Sequence, residues 1–192
     1  MKDLIVASNN QGKIKEYKEI LEPLGFNLMS QSEANINIEV EETGETFEEN
    51  STLKAEAIYN LTHKCVLADD SGLEIKALNN EPGVYSARYK GIKTAKERND
   101  YILDKLKNEK DRSARFVCTI CYIDEEGNKN LFKGIWNGVI DTKASGTNGF
   151  GYDPIFIGED QKVSTANLTD EEKNKISHRG RATKLLLEFL KK

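Results

Sequence analysis

The sequence has few cysteines to form disulfide bonds and no long apolar run to cross a membrane. Its 192 residues include three cysteines, three prolines and one tryptophan, and no apolar run approaches the ~20 residues that a membrane helix needs. The odd number of cysteines argues against a disulfide framework. The apolar run 4–7 is too short for a signal-peptide core. We therefore expect a cytoplasmic protein that has no membrane partner and whose core needs no disulfide bond or metal for its stability.

Positive charge is also in short supply, because 28 lysines and arginines face 32 aspartates and glutamates, giving a formal net charge of −4. A protein that coats a nucleic-acid backbone is usually basic, so we expect no nucleic-acid partner. A small phosphate-bearing substrate is still compatible, because a local group of lysines can outweigh the overall sign. Length and composition together predict one domain spanning residues 1–192.

Two of the cysteines, Cys118 and Cys121, have the spacing of a Cys-x-x-Cys motif. They fall within 114–123, whose pattern predicts a strand, and residues i and i+3 of a strand point to opposite faces. Zinc would need two more soft ligands, and the sequence has no second cysteine pair. We therefore expect two separate, buried thiols.

The hydrophobic pattern predicts an α/β fold with a mixed, twisted central sheet flanked by helices. A strand–loop–helix unit opens the chain and two long paired strands follow later. A buried strand is expected to end at Asp69 and Asp70, with extended chain resuming at 73–75. The predicted strands are 4–7, 26–29, 66–68, 114–123 and 130–140, and the predicted helices are 13–24, 46–63, 94–107 and a last region from 169 to 190 that bends at 177–180.

The loop after the first strand places a hydroxyl, an amide and an ammonium at a helix start, in the pattern Ser8-x-Asn10-x-x-Lys13. Helix N-termini attract anions because their first N–H groups have no partner within the helix. This pattern suits a triphosphate. The alternative is an ordinary helix cap with a solvated lysine, since serine and asparagine are preferred caps. The loop is not a Walker A motif, because it lacks the upstream glycine and the following Ser or Thr.

Carboxylates recur in two places, in the acidic segment 39–45 and at Asp69-Asp70. Magnesium takes hard oxygen ligands, often one or two carboxylates with substrate phosphates and water. A metal held by Glu42 and one aspartate would relieve the repulsion within the pair, and the other carboxylate could orient water. The alternative is that 69–72 forms only a turn. Lys54, on the second helix, could reach a phosphate or be solvated.

Two later segments could recognise a base. Phe150 lies between glycines, where an aromatic ring can form an exposed stacking platform or pack into the core. Lys173, His178 and Arg179 offer hydrogen-bond donors that suit the 6-oxo acceptor of hypoxanthine or xanthine. A lone histidine is, however, more often a structural residue.

Six motifs occur in a fixed order along nearly the whole chain, and as a set they resemble the inosine/xanthosine triphosphate pyrophosphatase family. This resemblance implies an elongated two-lobed α/β domain with an active-site cleft between the lobes, and a homodimer. It also implies Mg²⁺-dependent hydrolysis of ITP, dITP and XTP to the monophosphate and pyrophosphate, which cleanses the nucleotide pool. The motifs are Ser8-x-Asn10-x-x-Lys13, Glu42-Thr43-Gly44 with Lys54, Ala68-Asp69-Asp70-Ser71-Gly72-Leu73, Pro82-Gly83-Val84-Tyr85-Ser86-Ala87-Arg88, Gly149-Phe150-Gly151-Tyr152-Asp153-Pro154 and Ser177-His178-Arg179-Gly180.

The resemblance also implies a role for each matching residue. Asp70 would be the proton acceptor for the attacking water, assisted by Asp69, and Glu42 and Asp70 would bind Mg²⁺. The residues implied to hold the triphosphate are Ser8, Asn9, Asn10, Gln11, Gly12, Lys13 and Lys54. Those implied to contact the rest of the substrate are Ser71, Phe150, Gly151, Tyr152, Asp153, Lys173, His178 and Arg179.

Two other functions compete with this one. A related pyrophosphatase acting on pyrimidine or modified nucleotides would share the metal chemistry but lack the donor set 177–180. A non-catalytic nucleotide-binding module would gain nothing from adjacent carboxylates, and a catalytically dead relative would be expected to lose Asp70 or Glu42. Because both residues are present, the enzyme is the favoured hypothesis.

Overall fold

The computed structural model describes residues 2–191, so both ends of the predicted domain 1–192 lie outside the described residues. That single domain stays a prediction. The strands are β1 (Lys2–Val6), β2 (Phe26–Ser30), β3 (Val66–Ile75), β4 (Glu81–Pro82), β5 (Ser113–Ile123), β6 (Lys129–Ile140) and β7 (Phe156–Gly158). The α-helices are α1 (Gln11–Leu21), α2 (Phe47–Thr62), α3 (Ala95–Leu106), α4 (Asp170–Ile176) and α5 (His178–Leu190). Short 3₁₀ turns cover Glu22–Leu24, Lys76–Leu78, Asp153–Ile155 and Thr165–Asn167. The segment Gly83–Gly91 is also 3₁₀ but is interrupted by a kink at residues 88–90.

All the described strands belong to one sheet, with the order β2-β1-β3-β5-β6-β7 and β4 beside β3. Strand β1 pairs in parallel with β2 and β3. Strand β4 is antiparallel to β3, and β7 is antiparallel to β6. The predicted α/β class with a mixed sheet and flanking helices is therefore confirmed.

The chain divides into two compact units. Within the described residues, unit 1 comprises 2–70, 118–134 and 179–191, and unit 2 comprises 71–117 and 135–178. Strands β3, β5 and β6 each contribute residues to both units. The core of unit 1 is built from two apolar clusters, one containing Tyr17 and Cys118 and the other containing Cys121.

The core of unit 2 is centred on Trp136, which is fully buried. Its ring stacks on Phe116 at 6.5 Å between centroids and meets Phe156 edge-on at 5.2 Å. A Cβ on Gly158 would collide with the indole, so this position leaves room for the ring only because it is glycine. Aromatic rings buried in this way contribute much of a core's stability.

Strand β3 corrects the prediction at Asp69 and Asp70. The strand does not end at these residues but continues without interruption to Ile75. Its start pairs with β1 at Val66 and Leu67, and its end pairs with β4 at Glu74 and Ile75. Pairing with neighbouring strands outweighs the local preference of Asp, Ser and Gly for turns.

The predicted start of the last helical region and its bend are both confirmed. Thr169 and Glu172 form a capping box, in which each side chain accepts from the other residue's backbone N–H. Ser177 has an extended backbone (φ −68°, ψ 163°) and separates α4 from α5, which is the predicted bend. At α2, Thr46 accepts from the Glu49 N–H, but Glu49 accepts from Glu45 N, so only half of a capping box forms.

The two strand cysteines are buried, separate thiols, as predicted. Cys118 and Cys121 are both 0% exposed and belong to different apolar clusters of unit 1. Among residues 2–191, no helix is both long and apolar enough to cross a membrane.

Candidate active site

The loop between β1 and α1 is fixed by its own polar side chains. Asn10 is the N-cap of α1, and its Oδ1 accepts from the Lys13 backbone N–H at 3.1 Å. Ser8 Oγ accepts from Asn10 N at 3.1 Å. The side-chain oxygens of Ser8 and Asn10 therefore act as local caps, while their predicted role in holding a triphosphate stays a prediction.

The remaining predicted residues of this loop form a short polar stretch. Asn9 Oδ1 accepts from Ser32 Oγ at 2.9 Å, and Gln11 Nε2 donates to Asn9 O at 3.4 Å. Gly12 lies in the first turn of α1. Lys13 extends from the same turn, and its Nζ lies 3.1 Å from Asp69 Oδ1.

Asp69 is a buried carboxylate surrounded by donors. Its Oδ2 accepts from Arg179 Nε at 3.2 Å, from Arg179 Nη2 at 3.1 Å and from Cys118 Sγ at 3.4 Å. Burial alone would raise its pKa, but the charges of Lys13 and Arg179 outweigh burial and hold the pKa of Asp69 well below its usual range. Asp69 therefore stays ionised and is a poor proton acceptor.

Arg179 is committed to carboxylates of unit 1. Its side chain is 2% exposed and pairs with Asp69 and, through Nη1, with Glu16. Burying an arginine is tolerated only where acidic groups compensate its charge, as Asp69 and Glu16 do here. The base contact that the resemblance implies for Arg179 stays a prediction.

Asp70 has a different environment from its neighbour. It is 4% exposed, and its Oδ2 accepts from Asn50 Nδ2 at 3.0 Å. Burial raises the pKa of Asp70 to about 6; Lys54 and Lys13 oppose this rise, and the like charge of Glu42 adds to it. A carboxyl group of this kind is suited to exchange a proton near neutral pH.

Glu42 and Asp70 fit the donor set of a magnesium site. Burial is the main cause of the raised pKa of Asp70, and the like charge of Glu42 adds to it; a divalent cation between the two carboxylates would relieve both effects. Glu42 is held by Lys54, whose Nζ lies 3.0 Å from its Oε1. Within residues 2–191, no cluster of three or more His, Cys, Asp or Glu residues is arranged for a metal. Substrate oxygens and water would have to complete the coordination, as is usual for Mg²⁺.

Unit 2 contains a second cluster, built around Phe150. Asp153 Oδ2 accepts from Lys173 Nζ at 2.6 Å and from Phe150 N at 3.0 Å. The Lys173 ammonium also lies 4.7 Å from the centroid of the Phe150 ring, within the range of a cation–π contact. Phe150 is partly exposed, whereas Asp153 and Lys173 are buried. The ring is therefore held in place by a buried ion pair.

Of the other predicted residues of unit 2, Gly151 and Tyr152 are tied to neighbouring segments, while His178 and Ser71 lie elsewhere in the sequence. Asn99 Nδ2 donates to Gly151 O at 3.1 Å, and the Tyr152 hydroxyl donates to Ser86 O at 2.6 Å. Tyr152 is buried and anchors the loop. His178 is also buried and stacks on Phe116 at 4.6 Å and 15°. Ser71 lies in β3, directly after Asp70.

The sequence reasoning missed two buried polar residues of unit 1, Glu16 and Asn50. Each stands on the same helix face as a predicted lysine: Glu16 is three residues after Lys13, and Asn50 is four residues before Lys54. Such spacings bring side chains together on a helix. This spacing is the signal that could have found them.

Known proteins resemble this chain over nearly its whole length and theirs. A dITP/XTP pyrophosphatase of Staphylococcus epidermidis is 49% identical over 191 residues, covering 99% of this chain and 97% of the relative. A dITP/XTP pyrophosphatase of Bacillus subtilis is 46% identical over 193 residues, covering 99% and 98%. The solved structure of the Staphylococcus aureus Ham1 protein matches with a TM-score of 0.88 and 46% identity, covering 99% of this chain and 98% of that one.

Fold, site and similarity together define the chain as an enzyme of the hydrolase class, built on a mixed α/β sheet. The model of the Ham1 family matches residues 4–189, and the chain belongs to this family.

Proposed function

We propose that this enzyme hydrolyses non-canonical purine nucleoside triphosphates, namely dITP, XTP and ITP, to the monophosphate and pyrophosphate, with Mg²⁺ as its cofactor. The names of the two relatives given above support the substrate class. In a cell, the reaction would remove aberrant nucleotides from the pool. We also propose that the enzyme acts in the cytoplasm as a homodimer.

One observation carries the proposal: two adjacent buried carboxylates have different partners, Lys13 and Arg179 at Asp69 and the Asn50 amide at Asp70. Asp69 is kept ionised by Lys13 and Arg179, whereas burial raises the pKa of Asp70 to about 6. Asp70 would therefore take up the proton of the attacking water, since Asp69 is engaged by the ammonium of Lys13 and the guanidinium of Arg179. Asp69 would act by holding Lys13 in place.

The lysines of unit 1 would receive the triphosphate. Lys13 and Lys54 each have side chains 13% exposed and each pairs with a carboxylate, Asp69 and Glu42 respectively. Charge on partly buried ammonium groups stabilises phosphate oxygens more strongly than it would in water. Mg²⁺, held by Glu42 and Asp70, would neutralise phosphate charge and promote attack on phosphorus.

The cluster around Phe150 would recognise the base. The ring of Phe150 would stack on the purine, and Lys173 and His178 would offer donors to a 6-oxo group. Adenine presents an amino donor at that position, and a buried donor left unpaired costs roughly 1–3 kcal/mol. Two such mismatches would disfavour ATP by about 100-fold or more, at ~1.4 kcal/mol per tenfold.

The direct test is product analysis with dITP, XTP, ITP, ATP, GTP and dUTP at equal concentrations, measuring pyrophosphate and orthophosphate separately, with Mg²⁺ and with EDTA. We expect pyrophosphate from dITP, XTP and ITP, and no turnover in EDTA. Preferential turnover of dUTP would favour the related pyrophosphatase of pyrimidine nucleotides. Nucleotide binding without any turnover would favour a binding module. Orthophosphate as the first product would contradict the proposed bond cleavage.

A further inference from the structure

The amide of Asn50 joins two parts of unit 1 that are distant in the sequence. Asn50 is fully buried near the start of α2. Its Nδ2 donates to Asp70 Oδ2 at 3.0 Å, and its Oδ1 accepts from the Gly44 backbone N–H at 2.8 Å. Because Gly44 follows Glu42 by two residues, one side chain connects the segment that carries Glu42 to the carboxylate on β3.

The same face of α2 holds the second carboxylate. Lys54 lies one helical turn after Asn50, and its Nζ is 3.0 Å from Glu42 Oε1. Asn50 and Lys54 are thus neighbours on one helix, and each fixes one acidic group. One face of α2 thus provides a hydrogen-bond partner for each of the two acidic groups.

Gly44 leaves room for the Asn50 amide because it has no side chain. A Cβ at this position would stand 2.6 Å from Asn50 Oδ1 and 2.7 Å from Glu49 Cβ. Real Cβ atoms do not approach that closely, so any larger residue would push the segment and the amide apart. The absence of a side chain at Gly44 permits the hydrogen bond.

We propose that Asn50 is a positioning residue that fixes Glu42 relative to Asp70 and so sets the enzyme's affinity for a divalent cation. This inference rests on the proposed function, in which Glu42 and Asp70 hold Mg²⁺. Hydrogen-bond partners behind metal-binding carboxylates orient them, and losing such a partner typically weakens metal affinity or activity by about 10–100-fold. Asn50 acts through the two acidic groups.

The experiment measures Mn²⁺ binding without nucleotide, by electron paramagnetic resonance or calorimetry, together with the Mg²⁺ dependence of turnover. Asn50→Leu removes both hydrogen bonds at similar volume, and Gly44→Ala disturbs the same contact from the other side. We expect each variant to raise the Mn²⁺ Kd by about tenfold or more. In the double variant, the rise of the Mn²⁺ Kd should be smaller than the product of the two single rises, because both substitutions disturb the same hydrogen bond between Gly44 and Asn50.

Thr165→Val is the matched control, since it removes a buried side-chain hydrogen bond, to Phe156 O at 3.0 Å, in unit 2. It should lower thermal stability and leave the Mn²⁺ Kd unchanged. Thermal unfolding without metal shows whether each variant is folded; should Asn50→Leu not fold, Gly44→Ala provides the same test.

The outcomes separate this inference from the proposed function. If the wild type binds Mn²⁺ and the folded variants bind it equally well, Asn50 has only a structural role and the inference is wrong, while the proposed function is unaffected. If the wild type binds no Mn²⁺, alone or with pyrophosphate, the proposed metal site fails and the inference fails with it.

Discussion

At the scale of single residues, the buried carboxyl group of Asp70 lowers the stability of the folded protein when it is ionised. Its pKa of about 6 in the folded protein lies above the ordinary aspartate value of ~3.9. Because the folded-state pKa is raised, the stability that Asp70 contributes relative to an ionised aspartate is fully present below pH ~4. This contribution is lost as the pH rises through about 6. Without divalent cations, Asp70→Asn should therefore gain stability relative to the wild type between these values, by about 3 kcal/mol in total at ~1.4 kcal/mol per pKa unit.

This prediction is checked by urea unfolding of both proteins in EDTA at pH 4.5 and pH 8. Asp104→Asn serves as the control, because the Asp104 side chain is 73% exposed. This control removes one exposed carboxylate, and its stability relative to the wild type shows what removing such a charge contributes at each pH. An Asp70→Asn advantage of the same size at both pH values would contradict the raised pKa.

The same substitution should abolish turnover. Asn at position 70 cannot accept a proton from water, so kcat for dITP should fall by 100-fold or more, on the order of the 10²–10⁴ that general bases contribute. Nucleotide binding, measured by calorimetry, should remain detectable because Lys13 and Lys54 are unchanged. Full activity of Asp70→Asn would exclude Asp70 as the base.

Phe150 should act mainly on substrate affinity. Stacking on an aromatic ring is worth about 1–3 kcal/mol per base, so Phe150→Ala should raise KM for dITP by about tenfold or more with a smaller change in kcat. Phe150→Tyr keeps the ring and should retain a KM close to the wild-type value. An unchanged KM in Phe150→Ala would refute the stacking role.

Individual residues also show how far the sequence could predict the site. The positions of Asp70, Lys13 and Lys54 could be matched to a family pattern, and the structure places all three in one charged cluster of unit 1. The engagement of Arg179 by Asp69 could not be predicted, because the two are 110 residues apart and only the fold brings them together. Asn50 was missed because a polar residue on a helix is ordinarily solvated, and its burial depends on packing.

At the scale of elements, the loop before β7 shows a contrast between two glycines. Gly149 (φ +70°) and Gly151 (φ +63°) both have left-handed backbones, so alanine would strain either one similarly. A Cβ on Gly149 would also collide with the Asp153 carboxylate, whereas a Cβ on Gly151 would meet nothing within 4 Å.

Gly149→Ala should therefore displace Asp153 from Lys173 and raise KM for dITP, while Gly151→Ala should lower stability by about 1 kcal/mol with little change in KM. Steady-state kinetics and thermal unfolding of the two variants check this. Equal KM values would show that the Asp153 contact does not position Phe150.

Elements were predictable where their signals are local. The capping box at Thr169 and the break at Ser177 depend on neighbouring residues, and both are present. Strand β3 was cut short in the prediction because Asp-Asp-Ser-Gly is locally a turn sequence. Its continuity depends on β1 and β4, which sequence patterns do not pair with it.

At the scale of the whole molecule, the class of enzyme and the α/β fold could be predicted because six motifs recur in order, and the match to the Staphylococcus aureus Ham1 protein supports both. The division into two units could not be derived from residue patterns, since β3, β5 and β6 run through both without a linker.

Assembly remains a prediction at this scale. Light scattering on a size-exclusion column should give twice the chain mass of 21.6 kDa at micromolar concentration. The proposed homodimer should also resist dilution to nanomolar concentration if it forms before substrate binds. A mass of one chain at every concentration would contradict it.

The burial of Trp136 has a practical consequence. It is the only tryptophan in the sequence, and it lies in the core of unit 2. Excitation at 295 nm therefore produces fluorescence from unit 2 alone, because unit 1 contains no tryptophan. A denaturation curve followed by this emission reads the melting of unit 2, whereas circular dichroism reads both units. If the two curves superimpose, the two units unfold in one cooperative transition; if they do not, the units unfold separately.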